Sequence, residues 1–487
     1  MTIFDAAGWR FDNSYIRLPQ ILFMRQDPGK VSKPQLLMFN HELALELGLD
    51  PEWLTSENGI QMLAGNAVAP GSVPIAQAYA GHQFGHFTML GDGRAILLGE
   101  HIAPDGKRFD IQLKGAGRTP YSRGGDGLAA VGPMVREYVI SEAMHALGIP
   151  TTRSLAVIGT GERVMRSQVL NGAVLTRVAS SHIRIGTFEF AAACGDSTAL
   201  RELLNYTILR HFPALPGNHQ DALSLLENVV ECQAELVARW MHVGFVHGVM
   251  NTDNMALSGE TIDYGPCAFI DAFDPATVFS SIDHAGRYAF GNQPAVAQWN
   301  LERFAETLIP SIAPDESEAV SLAEPVIERF SIVFKQAWMA GMLRKLGLNE
   351  ERSDDAELVE SLLSIMHENR LDYTVTFHML GKSLTPDPPV LPETLELWRS
   401  RWIERIDAQA GGRAAAAMLC IKENPAVIPR NHLVEEALAA IDKNDNYGPV
   451  KDLLGAITHP YESGRCNGRY EQGPERVNTH YRTFCGT

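Results

Sequence analysis

Apolar and polar positions change their spacing twice along this chain. From Met1 to about Leu90, short apolar stretches alternate with Pro and Gly punctuation. Asn40-His-Glu-Leu-Ala-Leu-Glu-Leu-Gly48 reads as a helix opened by an asparagine cap and closed by glycine, and Ala69-Pro-Gly-Ser-Val-Pro74 as loop. Arg94-Ala-Ile-Leu-Leu-Gly-Glu-His-Ile102 is strand-like, Pro104-Asp-Gly-Lys107 turns, and Arg108-Phe-Asp-Ile-Gln-Leu-Lys114 alternates as a second strand. A glycine-rich loop spans Gly115 to Gly127. A helix with Pro133 in its first turn then runs to Gly148. Two or three strands follow, at Arg153–Ile158, Val164–Leu170 and Gly172–Arg177. From Ser197 the period becomes helical, most clearly over Asp221–Val243; short elements surround Asp253 and Asp263, and Pro325–Leu454 reads almost wholly as amphipathic helix. The tail from Tyr461 to Thr487 has no periodicity and reads as an ordered or semi-ordered extension. The expected order is a β-rich lobe with one helix, an α-rich lobe and a helical extension: an α+β chain dividing at 1–90, 91–180, 181–325 and 326–487.

Composition narrows the classes. Of 487 residues, 45% are apolar and 20% charged, which excludes extended disorder. The 41 Lys and Arg against 58 Asp and Glu leave a formal charge of −17, the wrong sign for a nucleic-acid binder. Six cysteines (Cys194, Cys232, Cys267, Cys420, Cys466, Cys485) form no CxxC pair, so a zinc ribbon or disulfide scaffold is not expected. No uncharged apolar run suits a bilayer, and the N-terminus lacks a basic and apolar leader. The expectation is a cytoplasmic protein without membrane or nucleic-acid partners.

Chemistry concentrates in Phe245-Val-His-Gly-Val-Met-Asn-Thr-Asp-Asn-Met-Ala-Leu-Ser-Gly-Glu-Thr-Ile-Asp-Tyr-Gly265. A short hairpin turning near Ser258-Gly259 would carry Asn254 and Asp263 at its two ends, two oxygen donors suited to Mg²⁺ or Mn²⁺, and leave Asp253 to face a substrate hydroxyl. Taken alone the segment also fits a surface turn rich in Asn, Asp and Gly. Lys114 at a strand end, with Glu137 on a helix 23 residues later, matches the lysine–glutamate pair that holds phosphate in kinases. Each residue singly is more ordinary as a solvated surface group. Glycines at 91, 93, 115 and 127 supply backbone N–H groups that can cradle phosphate, a weak signal by itself. Arg177 and Arg184 suit a phosphate clamp as well as ordinary ion pairing. His82 and His86 have metal-like spacing, but Gly81 and Gly85 disfavour the helix such a site needs, so local hydrogen bonding or packing is expected.

Several longer stretches carry a family resemblance. Ala78-Tyr-Ala-Gly-His-Gln-Phe-Gly85, Gly91-Asp-Gly-Arg94, Gln112-Leu-Lys-Gly-Ala-Gly-Arg-Thr-Pro-Tyr-Ser-Arg123, Val246-His-Gly-Val-Met-Asn-Thr-Asp-Asn-Met255, Asp263-Tyr-Gly-Pro266, Asn292-Gln-Pro-Ala295 and Asn424-Pro-Ala-Val-Ile-Pro-Arg-Asn431 resemble the selenoprotein O family, called YdiU in bacteria. The resemblance implies a protein-kinase-like bilobal fold with N-terminal and helical C-terminal extensions. It implies transfer of AMP from ATP, or UMP from UTP, to Ser, Thr or Tyr of proteins, with ATP held flipped relative to kinases. By the same motifs, Asp253 would be the base, and Asn254 and Asp263 the metal ligands. Gly91, Gly93, Arg94, Lys114, Asp126, Gly127, Arg177, Arg184 and Asp263 would line the nucleotide, with Glu137 supporting Lys114. Cys485 matches the family's C-terminal redox residue, which some members pair with a cysteine of the activation segment; the stretch after Asp263 offers only Cys267 there, and an inert tail thiol stays open. Two other readings stay open: a γ-phosphotransferase, and a silent nucleotide-binding scaffold.

Overall fold

The computed structural model describes residues 7–215, 221–475 and 481–483. Its strands are β1 (Phe23–Arg25), β2 (Gln35–Phe39), β3 (Ile75–Gln77), β4 (Ala80–Gln83), β5 (His86–Met89), β6 (Ala95–Ile102), β7 (Arg108–Lys114), β8 (Arg153–Met165), β9 (Val169–Ala179), β10 (Phe245–Val246) and β11 (Ala268–Phe269). Seven of them form one antiparallel sheet in the order β1-β3-β6-β7-β9-β8-β2, so the first 90 residues contribute both its edges. Elsewhere the described chain is mostly helical, and the whole is a mixed α/β molecule.

The alternation of β7 decides which way the sheet faces. Ile111 and Leu113 point to one side, where they meet Ile96, Leu98, Val174 and Val178 and the Leu43, Leu54 and Leu63 of three short N-terminal helices. The first of these helices, His41–Glu46, opens where Asn40 accepts the backbone N–H of Leu43, a cap worth about 1 kcal/mol. Asp110, Gln112 and Lys114 point to the other side and are all buried. Register sets Arg177 opposite Gln112 and Leu175 opposite Lys114, so the cations of two strands share that face. The Val131–Ala146 helix crosses it, with Val135, Tyr138 and Val139 packed into the same core as Leu97, Val157 and Leu175. Two later helices, Asn431–Asn444 and Gly448–Ile457, pack on that helix from outside.

Three sequence expectations change in detail. The stretch Val164–Leu170 is not a strand of its own: Val164 and Met165 end β8, Val169 and Leu170 begin β9, and Arg166–Gln168 make the turn. The helix expected from Pro325 begins at Glu316, and Pro325 lies inside Glu316–Lys345. Asp315 caps that helix and Ala319, Ala323 and Val326 bury its inner face, which carries it through the proline. In the tail, Tyr481–Thr483 runs extended beside Phe279–Ser281, with Thr483 N–H donating to the Phe279 carbonyl at 2.8 Å and Ser281 N–H to the Thr483 carbonyl at 3.0 Å. Cys194, Cys232, Cys267 and Cys420 form no disulfide among the described residues, and Cys485 lies outside them. Among the described residues no helix is long and apolar enough to cross a membrane.

A second core joins the C-terminal helices, and it contains a lysine. Lys345 is only 3% exposed, with its ammonium 4.2 Å from the Phe377 ring centroid and 5.3 Å from that of Tyr373. Burial drives its pKa from 10.5 down to about 7, against the opposing pull of Cys420 and Glu423. The folded chain then binds this proton more weakly than the unfolded chain does, so stability rises with pH between about 7 and 10.5. Lys345→Met should flatten that slope and stabilise the fold at neutral pH by about 1–3 kcal/mol. Denaturant midpoints measured across that pH range check it, and an unchanged slope in the variant would clear Lys345 of the effect.

Candidate active site

Three buried charges and a half-buried one, Asp263, meet where β7, β9, the Val131–Ala146 helix and the Asp263 loop converge. Lys114 Nζ lies 2.5 Å from Glu137 Oε2 and also contacts Asp263 Oδ1. Arg177 Nε donates to Glu137 Oε1 at 2.9 Å, its Nη1 to Gln112 Oε1 at 3.3 Å, and its Nη2 lies 3.5 Å from Asp263 Oδ1. Burial would raise both carboxyls, but it is outweighed: Arg177 and Lys114 lower Glu137, and Lys114, Arg177 and Arg94 hold Asp263 well below the usual carboxylate range. Asp263 has φ +67°, a left-handed backbone rare for a non-glycine residue, which marks a carboxylate held in place by its surroundings.

Asp253 and Asn254 sit in a single turn, Thr252–Asn254, after the Asp221–His242 helix. Met255 pairs with Thr261 and Gly259 N–H closes on the Ala256 carbonyl, so the expected hairpin forms and Asn254 and Asp263 stand at its ends. Asn254 donates its amide N–H to the Val249 carbonyl at 3.0 Å, which leaves its amide oxygen uncommitted. Asp253 is 7% exposed, and its Oδ1 is buried without a hydrogen-bond partner among the described residues. Burial, resisted by Arg184, pushes its pKa up to about 7. An unpartnered buried carboxylate oxygen is costly unless a ligand completes it. The close fit below it explains Gly81: a Cβ there would stand 2.2 Å from Asp253 Oδ1.

The remaining expected residues form the rim. Gly91 and Gly93 flank Asp92, in the loop that leads into β6. A Cβ on Gly91 would enter the Tyr121 ring at 2.4 Å, and Thr119 and Ser122 hydroxyls bond to the Asp92 and Gly93 carbonyls, so the two glycine loops are stitched together. Gly127 has φ +71° and lies so close to the Gly117 carbonyl that no Cβ fits. Arg94 is half-buried and makes no ion pair among the described residues, although its charge is felt by Asp263. Arg184 lies over the Tyr79 ring at 4.4 Å, donates to the Asp253 carbonyl at 3.2 Å, and leaves its Nε buried and unpartnered. Asp126 stands apart: it is exposed and pairs with Arg166 at 2.8 Å.

Sequence reasoning passed over two participants. Asp92 turns its carboxylate inward, accepts the Gln77 backbone N–H at 3.2 Å and Gln112 Nε2 at 3.3 Å, and lies 3.7 Å from Arg184. It thereby ties the Gly91–Arg94 loop to β7 and to Arg184. Tyr79 supplies the ring beneath that arginine. The only signal available was that both fall inside stretches already quoted for the family resemblance. His82, judged no metal ligand, instead contacts the Glu189 carboxylate through Nδ1. No group of three His, Cys, Asp or Glu suited to a metal occurs among the described residues. The uncommitted oxygens of Asn254, Asp253 and Asp263 are hard donors of the kind Mg²⁺ and Mn²⁺ prefer, so the residues fit such an ion.

Lysine, three arginines and paired carboxylates in one partly closed site are the equipment of an enzyme that works on phosphates. Known proteins make the assignment specific. The sequence profile described as protein adenylyltransferase SelO matches residues 9–458. The protein nucleotidyltransferase YdiU of Shouchella clausii is 55% identical over 485 residues, covering 99% of this chain and all of its own. Those of Brevibacillus brevis and Clostridium botulinum are 56% and 54% identical, each across 99% of this chain and 98% of theirs. The chain belongs to the SelO family.

Gly81→Ala tests the seat of Asp253. Its methyl group would displace the carboxylate, so activity should fall by about a hundredfold or more while nucleotide still binds. Activity within a few-fold of wild type would mean that Asp253 does not need this seat.

Proposed function

We propose that the protein transfers AMP from ATP to the hydroxyl of Ser, Thr or Tyr side chains on proteins, itself included, and releases pyrophosphate; UTP is a second nucleotide the same site would accept. The observation that carries this reading is Asp253, whose free Oδ1 lies in a site where Lys114, Arg177, Arg184 and Arg94 gather. Asp253 takes the proton of the acceptor hydroxyl. The hydroxyl oxygen attacks the α-phosphorus, and the bond from that phosphorus to the β-phosphate bridging oxygen breaks. Negative charge then spreads over the leaving pyrophosphate, which several fixed cations stabilise better than one. The four-charge cluster keeps Lys114 extended towards phosphate and unable to swing into solvent.

Gly91, Gly93, Arg94, Lys114, Gly127, Arg177, Arg184 and Asp263 are read as the nucleotide lining, with Asp126, which stands apart in its pair with Arg166, at its outer edge, and Glu137 as the support of Lys114. Asn254 and Asp263 would hold Mg²⁺ or Mn²⁺, which when bound neutralises phosphate charge. In this reading the sheet with its crossing helix is the small lobe of a kinase-like bilobal fold, built on 91–180 and completed by strands β1, β2 and β3 from the N-terminal extension, and the helices of 181–325 form the large lobe. Residues 1–90 and 326–487 are its extensions. Unpaired cysteines and the overall acidity agree with a cytoplasmic protein whose partners are nucleotides and proteins.

Position-specific labels test the reaction. With ATP and Mg²⁺ or Mn²⁺, label from the α-phosphate should become covalently bound to protein, and Asp253→Asn should lower its incorporation by about 10² or more. Label from the γ-phosphate appearing instead would make the protein a phosphotransferase, and neither label with nucleotide still bound would make it a scaffold.

A further inference from the structure

Three distant parts of the chain close a hydrogen-bonded ring one residue from Asp253. The backbone N–H of His82, in β4, donates to Thr252 Oγ1 at 2.7 Å. That hydroxyl donates to Glu189 Oε2 at 2.5 Å, and the other oxygen of Glu189 receives His82 Nδ1. Glu189 lies on the Ile185–Ala193 helix, and its side chain is 3% exposed; Arg303 lines the same small cavity, but no Lys or Arg among the described residues forms an ion pair with Glu189. A buried carboxylate without a fixed cation is retained where its hydrogen bonds hold something in place. Here they hold three elements. Both oxygens of Glu189 are used, and so is the single hydroxyl proton of Thr252.

The backbones that the ring joins touch almost without clearance. Gly81, one residue before His82, lies beneath the Asp253 carboxylate. Gly186, one turn before Glu189, lies so near the Ala80 carbonyl that a Cβ would approach to 2.0 Å, and that Cβ would be 3.3 Å from Asp253 Cα. Asp253 is therefore wedged between β4 and the start of this helix, and Thr252 is the atom-level link between them. Because β4 alternates, Gly81 faces Asp253 while the His82 ring turns to the opposite side, against Phe87 and Trp299. The ring thus does not touch the reacting groups.

We propose that Glu189, Thr252 and His82 are positioning residues that hold Asp253 at the attacking distance from the acceptor hydroxyl. This rests on the reading of Asp253 as the group that faces that hydroxyl. Displacing a reacting carboxylate by about 1 Å slows chemistry by up to about 10² while leaving ligand affinity intact.

The test uses the full chain with α-labelled ATP and Mn²⁺, with the chain itself and denatured casein as acceptors. Thr252→Val and Glu189→Gln should each lower the rate at saturating ATP by about tenfold to a hundredfold, with the nucleotide dissociation constant within about twofold of wild type. Thr252→Ser, which keeps the hydroxyl, should restore the rate. Wild-type rates in Thr252→Val and Glu189→Gln would overturn the proposal. So would a Thr252→Ser variant as slow as Thr252→Val, or losses that merely follow melting temperature, since either makes the ring structural. Asp253→Asn, run alongside, separates the two claims: full activity in that variant removes the base itself, whereas an inactive Asp253→Asn beside a fully active Thr252→Val removes only the positioning.

Discussion

The contact on which the rest depends is the one between Lys114 and Glu137. Each is almost wholly buried, on different elements, and neither could remain charged there alone. Arg177 answers the second oxygen of Glu137, and Asp263 answers Lys114, so two cations and two carboxylates balance. Removing one member strands the others at a cost of about 3–5 kcal/mol. The cluster therefore fixes the spacing of β7, β9, the Val131–Ala146 helix and the Asp263 loop in one step, which is what a site acting on a phosphate chain requires.

Asp253 follows the opposite principle. Its carboxylate is compensated only in part: Arg184 and Gln83 favour its charged form, but Oδ1 has no donor among the described residues and the surrounding backbone presses on it. Asp263 is thus held strongly anionic and Asp253 is poised to exchange a proton, although both are aspartates of one cleft. Environment separates their tasks.

Much of this was legible in the sequence where local pattern and chemistry coincide. The alternation of Arg108–Lys114 places Lys114 at a strand end and on the polar face, and the Asn254–Asp263 hairpin has its turn at Gly259. What escaped depends on long-range pairing. Asp92 reads as a turn residue between two glycines until β7 and Arg184 meet its carboxylate. Glu189 reads as an ordinary helical residue until His82, 107 positions away, meets it. The Arg166–Gln168 turn lacks Gly and Pro, so the apolar residues on either side ran together as one strand. The contribution of β1, β2 and β3 to the main sheet has no local signature either, because each is too short to show a period.

Arg136 precedes Glu137 on the same helix and turns away from the nucleotide side. It donates to the Cys267 carbonyl at 2.9 Å, to Tyr481 Oη at 3.2 Å and to Glu435 at 2.9 Å. Neighbouring residues on one helical turn thus connect Lys114 with the last described segment of the chain. Catalysis here is not a module that can be excised and transplanted. Loss or exchange of the C-terminal segment during evolution would alter the support of Glu137 even with every residue of the cleft retained. Lineages that keep the chemistry are therefore expected to inherit the whole chain as a unit.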